Sequence, residues 1–183
     1  MTRKQAYELL CEYTKKDGLI KHALAVESCM RAYAARLGGD AEEWGAVGLL
    51  HDFDYERFPD ASQHPFKGAE ILREKKIKEE WIQAILGHAN YSGVARETPM
   101  AKALYACDEL TGFIVAVALV RPSKKLADVT VKSVKKKMKD KAFAAKVNRE
   151  DIAQGAAELG IGLDEHIGFV LEAMQQVAET LGL

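Results

Sequence analysis

The sequence predicts an all-α fold built as a single domain over residues 1–183. Apolar residues recur at spacings of three and four almost throughout, and no segment alternates convincingly with a period of two. At 183 residues and 48% hydrophobic composition, the chain can bury one sizeable core, whereas two domains of half that length would each be marginal.

The elements follow in order. Thr2 with Gln5 has the pattern of a capping box for a helix expected to reach about Lys16, with Asp17-Gly18 as its stop. A second helix is expected over Leu19 to Leu37, ending at Gly38-Gly39, and Asp40 can cap a third from Ala41 to about His51. FDYERFPDASQHP, with two prolines and several turn formers, reads as the longest irregular connection of the first half. Helices are then expected at about 65–75 and 78–89. After a loop with Gly93 and Pro99, a long helix should run from about Met100 to Val120, where Pro122 ends it. A C-terminal extension over about 123–183 carries three further stretches, Lys132 to Lys141, Asn148 to Leu159 and Asp164 to Leu181.

Composition excludes several functions. Lys plus Arg (26) nearly balance Asp plus Glu (27), so no overall field favours nucleic acid or an anionic membrane. The longest apolar run, Phe113 to Val120, is too short to span a bilayer, and the N-terminus lacks a secretory pattern, so a cytoplasmic protein is expected. Cys11, Cys29 and Cys107 are widely spaced, form no C-x-x-C pair and sit in apolar stripes, as small buried hydrophobes do. The lysine-rich KSVKKKMKDK has Val131, Val134 and Met138 at helical spacing and reads as a solvated helix face rather than a nucleic-acid site. His166, beside Asp164 and Glu165, reads as a surface residue.

Four other histidines and two aspartates lie where polar groups are costly. His22 shares a helical stripe with Val26, Cys29 and Tyr33; His51 continues Trp44, Val47 and Gly48; His88 continues Trp81, Ala84 and Ile85. Asp108 lies among Leu104, Tyr105, Thr111 and Gly112 on the most apolar helix. Burying a carboxylate without compensation costs several kcal/mol or forces it neutral. A shared metal centre would supply the compensation for all four helices at once.

The order His22, His51-Asp52, His64, His88, Asp108 resembles the motif order of the HD superfamily over about residues 19–112. The signatures are LLHDFDYE, HPFKGAEIL, ILGHANY and ALYACDELTGF. The resemblance implies an HD-type helical bundle in which His22, His51, Asp52 and Asp108 hold one metal, while Asp52 bridges to a second held by His64 and His88. Mononuclear members lack the two middle histidines, so His64 and His88 argue for two ions. His51 and Asp52 stand about 100° apart on an ideal helix, so both reach a metal only if the helix ends there; the Phe53 to Pro59 segment fits such an ending.

Two divalent ions less two aspartates and a hydroxide leave the site positive, which suits a phosphorylated substrate. Metal-activated water would make a protein nucleophile unnecessary, leaving Ser62, Ser92 and Thr111 to structural roles. Imidazole-rich ligation favours Fe, Mn, Co, Ni or Zn over Mg or Ca. Asp54 is a candidate to orient a ligand or protonate a leaving group, with a solvated turn residue as its alternative; Lys67, one turn beyond His64, is a candidate to face a substrate phosphate or solvent. Arg96, Arg121 and Lys124 are weaker anion-binding candidates, each more simply solvated.

The expectation is therefore a stand-alone phosphohydrolase acting on a small phosphorylated molecule or nucleotide. His51-Asp52-Phe53-Asp54 replaces the H-D-I-G of many relatives, and ANYSGVAR after His88 lacks the G-Y-P signature of the cyclic di-GMP phosphodiesterase branch. The length does not fit the large guanosine tetraphosphate hydrolases or the deoxynucleotide triphosphohydrolases. The alternatives are a diiron oxygenase, whose family ligand order is the same, and a non-catalytic module that senses a phosphorylated ligand.

Overall fold

The computed structural model describes residues 1–183 and contains helices and turns without a strand. Helix α1 (Arg3–Tyr13) is capped by Thr2, whose hydroxyl accepts from the Gln5 backbone while the Gln5 side chain accepts from the Thr2 backbone. It stops short of Lys16 because Thr14 turns inward, is buried, and donates its hydroxyl to the Phe53 carbonyl at 2.9 Å. Asp17-Gly18, expected to end that helix, instead forms the first turn of α2 (Asp17–Leu37), where the Asp17 carboxylate suits the positive end of the helix dipole. Gly38, with φ of 76°, ends α2 in the left-handed conformation.

Asp40 accepts from the Glu42 and Glu43 backbones to start α3 (Ala41–Leu50). A Cβ at Gly48 would lie 3.0 Å from the Glu27 backbone, so the absence of a side chain there lets α3 lie against α2. Turns over residues 51–65 lead to α4 (Phe66–Glu74) and α5 (Glu79–His88). Helix α6 (Pro99–Leu119) starts with Thr98 as cap and Pro99 in its first turn, a position where the missing N–H has no cost. It runs through the core and meets α2, α5, α8 (Arg149–Glu158) and α9 (Leu163–Gln175). At Gly155 a Cβ would stand 2.5 Å from Ala106 Cα, so glycine sets the α6–α8 approach.

Helix α7 (Val131–Met138) buries Val134 and turns its lysines to solvent, with Lys135 paired to Asp164. The final expected helix is divided: α9 ends at Gln175 and α10 spans Ala178–Leu181. One hydrophobic cluster draws on residues from Ala6 in α1 to Leu181 in α10. Cys29 and Cys107 are buried and unpaired, as their stripes imply, whereas Cys11 is half-buried. No helix is long and apolar enough to cross a membrane.

His166 corrects its expected surface position. It is fully buried, its Nδ1 2.7 Å from the Tyr33 hydroxyl and its Nε2 2.8 Å from the Ala106 carbonyl. The carbonyl can only accept, so Nε2 carries the proton and Nδ1 accepts from Tyr33. Burial lowers the pKa of this ring, which is neutral in its polar bracket.

Candidate metal centre

The fold brings all six expected ligand residues together. His22 comes from α2, His51 and Asp52 from the end of α3, His64 from the following turns, His88 from the last residue of α5 and Asp108 from the middle of α6. Helix α3 ends at Leu50, which frees Asp52 to turn beside His51 rather than away from it.

Two triads result, His22–His51–Asp108 and Asp52–His64–His88. In the first, His22 Nε2 lies 3.1 Å from His51 Nε2 and 3.0 Å from Asp108 Oδ1, and His51 Nε2 lies 3.5 Å from the same oxygen. In the second, Asp52 Oδ1 lies 3.2 Å from both His64 Nε2 and His88 Nε2. The other Asp52 oxygen, Oδ2, is 3.6 Å from His51 Nε2. One carboxylate thus faces both triads.

These separations can be tested against coordination. Ligand atoms about 2.1 Å from one ion stand about 3.0 Å apart at a right angle and about 3.4 Å apart at the tetrahedral angle. The edges of 3.0 to 3.2 Å fall in that range, and the two longer ones from His51 Nε2, 3.5 and 3.6 Å, lie just beyond it.

The opposite ring nitrogens complete the fit. His51 Nδ1 donates to the Gly48 carbonyl at 2.7 Å, His88 Nδ1 donates to the Ile85 carbonyl, and His64 Nδ1 bonds Asp54 Oδ1 at 2.9 Å. His22 Nδ1 lies 3.4 Å from the Thr111 hydroxyl, which donates its own proton to the Asp108 carbonyl and so accepts from the ring. Each imidazole has its proton tied on one side, and the Nε2 lone pairs converge with two carboxylates. That is the donor arrangement a divalent cation requires.

Without a cation, protons fill the same role. Burial lowers the pKa values of His51 and His88, but Asp52, with Asp108, more than reverses this and leaves both raised. Burial likewise acts to lower the His64 pKa, which Asp52 and Asp54 raise to about 9. Burial acts to raise the Asp52 pKa and the surrounding imidazoles, led by His51, push it well below the usual range; Asp108 is similarly lowered by His22 and His51. The centre strongly favours positive charge between its carboxylates.

Asp54 is fully buried and accepts from both His64 Nδ1 and the Gly68 backbone, the latter at 2.9 Å. It stands behind His64, and a Cβ on Gly68 would lie 2.8 Å from its carboxyl carbon. Lys67 lies elsewhere: half exposed, it pairs with Glu70 at 2.6 Å and does not line the cavity over the triads. Arg96 clasps Glu158 through two nitrogens at 2.8 Å, stacks on Tyr105 at 3.6 Å and bonds Asn90, so it braces a wall instead of offering a free cation. Neither Arg121 nor Lys124 lines the cavity.

That cavity, about 700 Å³, has His22, Asp52, His64, His88 and Asp108 at its floor. Its walls add residues the sequence did not single out: Tyr55, Asn90, Tyr91, Glu109, Lys146, Asn148 and Asp151. Asn90 and Tyr91 follow His88 directly, a proximity that could have found them. Lys146 and Asn148 lie between helices, where no apolar period points to a site. Glu109 is pushed up to about 7 by burial and by the Asp108 charge beside it.

The model of the HD domain family matches residues 19–112, just over half of the chain. Among solved structures, the HD domain of the L. monocytogenes phosphodiesterase PgpH is similar with a TM-score of 0.53 and 14% sequence identity. The match covers 97% of this chain and 99% of that one. At that identity the likeness is one of fold, and it extends through the C-terminal helices. No curated protein sequence matches the chain significantly.

Proposed function

The chain belongs to the HD domain family, and from that premise we propose that it is a metal-dependent phosphohydrolase acting on a small phosphorylated molecule or nucleotide. The observation that carries the proposal is the Asp52 carboxylate, shared between two ligand triads at the floor of a 700 Å³ cavity. His22, His51 and Asp108 would hold one divalent ion and His64 and His88 a second, with Asp52 between them. Fe, Mn, Co, Ni and Zn suit this donor set. Such ions lower the pKa of bound water into the neutral range and stabilise charge on a phosphoryl group.

The chain's own groups prepare that chemistry. Gly48, Ile85, Asp54 and Thr111 fix the four imidazoles from behind, so their lone pairs need no reorientation when an ion arrives. Lys146 is the one lysine on the cavity wall, and with Asn148 it offers groups that can hydrogen-bond phosphate or substrate hydroxyls, while the Asn90 amide is held by Tyr105, Asp151 and Arg96. Thr111, Ser92 and Ser62 do not line the cavity, and their hydroxyls are committed to the Asp108 carbonyl, the Leu86 carbonyl and Asp60. Water therefore suits the role of nucleophile better than any of these side chains. The phosphodiesterase named for the L. monocytogenes neighbour belongs to the same broad class of phosphoester chemistry.

The test is metal-dependent phosphate release from a panel of nucleotides and sugar phosphates, with metal content measured on protein purified without chelator. Near two ions per chain and release abolished by chelator are expected. A metal content near zero after reconstitution overturns the centre. Oxygen uptake by the iron-loaded protein in place of phosphate release identifies an oxygenase, and tight ligand binding without either reaction identifies a sensor.

A further inference from the structure

A second cavity of about 420 Å³ is lined by Gly18, Lys21, Val115, Leu119 and the α10 end, and it shares His22 and Gly112 with the cavity over the triads. Of the two shared residues, His22 lies on α2 and Gly112 on α6. Asp108, Gly112, Val115 and Leu119 follow one another at spacings of four, three and four, so one helix face runs from the candidate ligand into an apolar recess. On α2, Gly18 and His22 keep the same four-residue spacing opposite it.

Gly112 is the threshold between the two spaces. A Cβ built there meets no atom within 4 Å, and the same holds at Gly18. The openness at Gly112 contrasts with Gly48, Gly68 and Gly155, where a Cβ would meet a neighbour at 3.0 Å or closer. Glycine at 112 is thus unnecessary for helix packing, and it leaves a gap between an ion site and a recess walled by Val115, Leu119 and Leu181. Leu119 keeps 50% of its surface exposed.

We propose that this recess is a subsite for an apolar chain on the substrate, entered from the metal centre across Gly112. The inference rests on the phosphohydrolase reading. It narrows the substrate class to a phosphate ester whose substituent is an alkyl or isoprenoid-like chain. A phosphate held at the triads would send such a chain along α6, while Glu109, Asp151 and Asn90 make the other wall polar. At 1.5 Å per residue, Val115 lies about 10 Å along the helix from Asp108, so short substituents end before the recess.

The experiment is calorimetric binding of methyl-, butyl-, hexyl-, octyl- and decylphosphonate to metal-loaded protein, below their micellar concentrations. Binding should be nearly flat for the shortest chains and then tighten by about threefold to fourfold for each added methylene in the recess. Gly112→Leu should remove that dependence by filling the gap. Leu119→Gln, at a half-exposed position that folding does not depend on, should weaken the decyl and octyl compounds selectively. A flat series in the wild type, with methylphosphonate still bound in a metal-dependent way, overturns the apolar subsite and leaves the phosphohydrolase reading standing. A chain-length dependence that both variants retain also overturns the subsite. Failure of every phosphonate to bind overturns both.

Discussion

Replacing Asp54 by Asn tests how the second triad is prepared. The two side chains have nearly the same shape, but the carboxylate accepts two hydrogen bonds, from His64 Nδ1 and from the Gly68 N–H. The Gly68 N–H can only donate, so an Asn must turn its oxygen there and its NH2 toward His64. His64 Nδ1 then becomes an acceptor, and the ring proton moves to Nε2, the atom 3.2 Å from Asp52 Oδ1 that would otherwise offer its lone pair. Restoring the useful tautomer means opposing two donors or giving up a hydrogen bond to a buried group, at a cost of about 1.5–3 kcal/mol. That corresponds to a loss of about 10- to 100-fold in affinity at the Asp52–His64–His88 triad. The His22–His51–Asp108 triad, whose rings are tied to Thr111 and Gly48, should keep its ion. Titration of metal-free protein by calorimetry should resolve two comparable sites in the wild type and one tight, one weak site in Asp54→Asn. Two sites of unchanged affinity would refute the tautomer argument, and equal loss of both would show that Asp54 acts on the fold instead.

Three further outcomes follow from the same geometry. His64 has its pKa raised to about 9 in the metal-free protein, so its stabilising contribution is complete below the ordinary histidine value of about 6.5 and is lost as pH rises through 9. Thermal melts in chelator should fall across that window while metal affinity rises, because proton and ion compete; flat melts would contradict the charge balance of the cluster. Lys146→Ala should raise KM about tenfold through loss of one charged contact, whereas Lys67→Ala should leave kcat/KM within about twofold, since an exposed pair such as Lys67–Glu70 contributes about 0–1 kcal/mol. Steady-state kinetics on both variants decide this, and equal effects would contradict their placement. His166→Ala should lower unfolding free energy by about 2–4 kcal/mol in urea, because it orphans the Tyr33 hydroxyl, removes a hydrogen bond to the Ala106 carbonyl and leaves a cavity, without altering metal content.

The residues that were legible in the sequence are those whose position is decided by one helix. His22, His51, His88 and Asp108 each continue an apolar stripe, and a stripe states which face is buried without knowledge of the partner. His166 carried the same signal, since Val170 and Ala173 lie four and seven residues beyond it, but its acidic neighbours Asp164 and Glu165 masked it at the helix start. The Asp17-Gly18 stop failed for a different reason. Thr14 ends α1 through a bond to Phe53, thirty-nine residues away, and no local pattern encodes that partner.

Asp54 shows where periodicity stops informing and contact takes over. It lies in a segment of turns, so no helical face argues for its burial; it is held there by the Gly68 N–H at the α4 start and by His64. Gly68 is part of the same fit, because any side chain there would displace the carboxylate that holds His64. The H-P-x-x-G pattern of His64, Pro65 and Gly68 therefore has a mechanical basis: its glycine makes room for the acceptor that selects the tautomer of its histidine. Gly68→Ala should accordingly reproduce the Asp54→Asn phenotype, with the second ion weakened and the first retained. A Gly68→Ala protein that binds both ions as tightly as the wild type would separate the glycine from the metal centre.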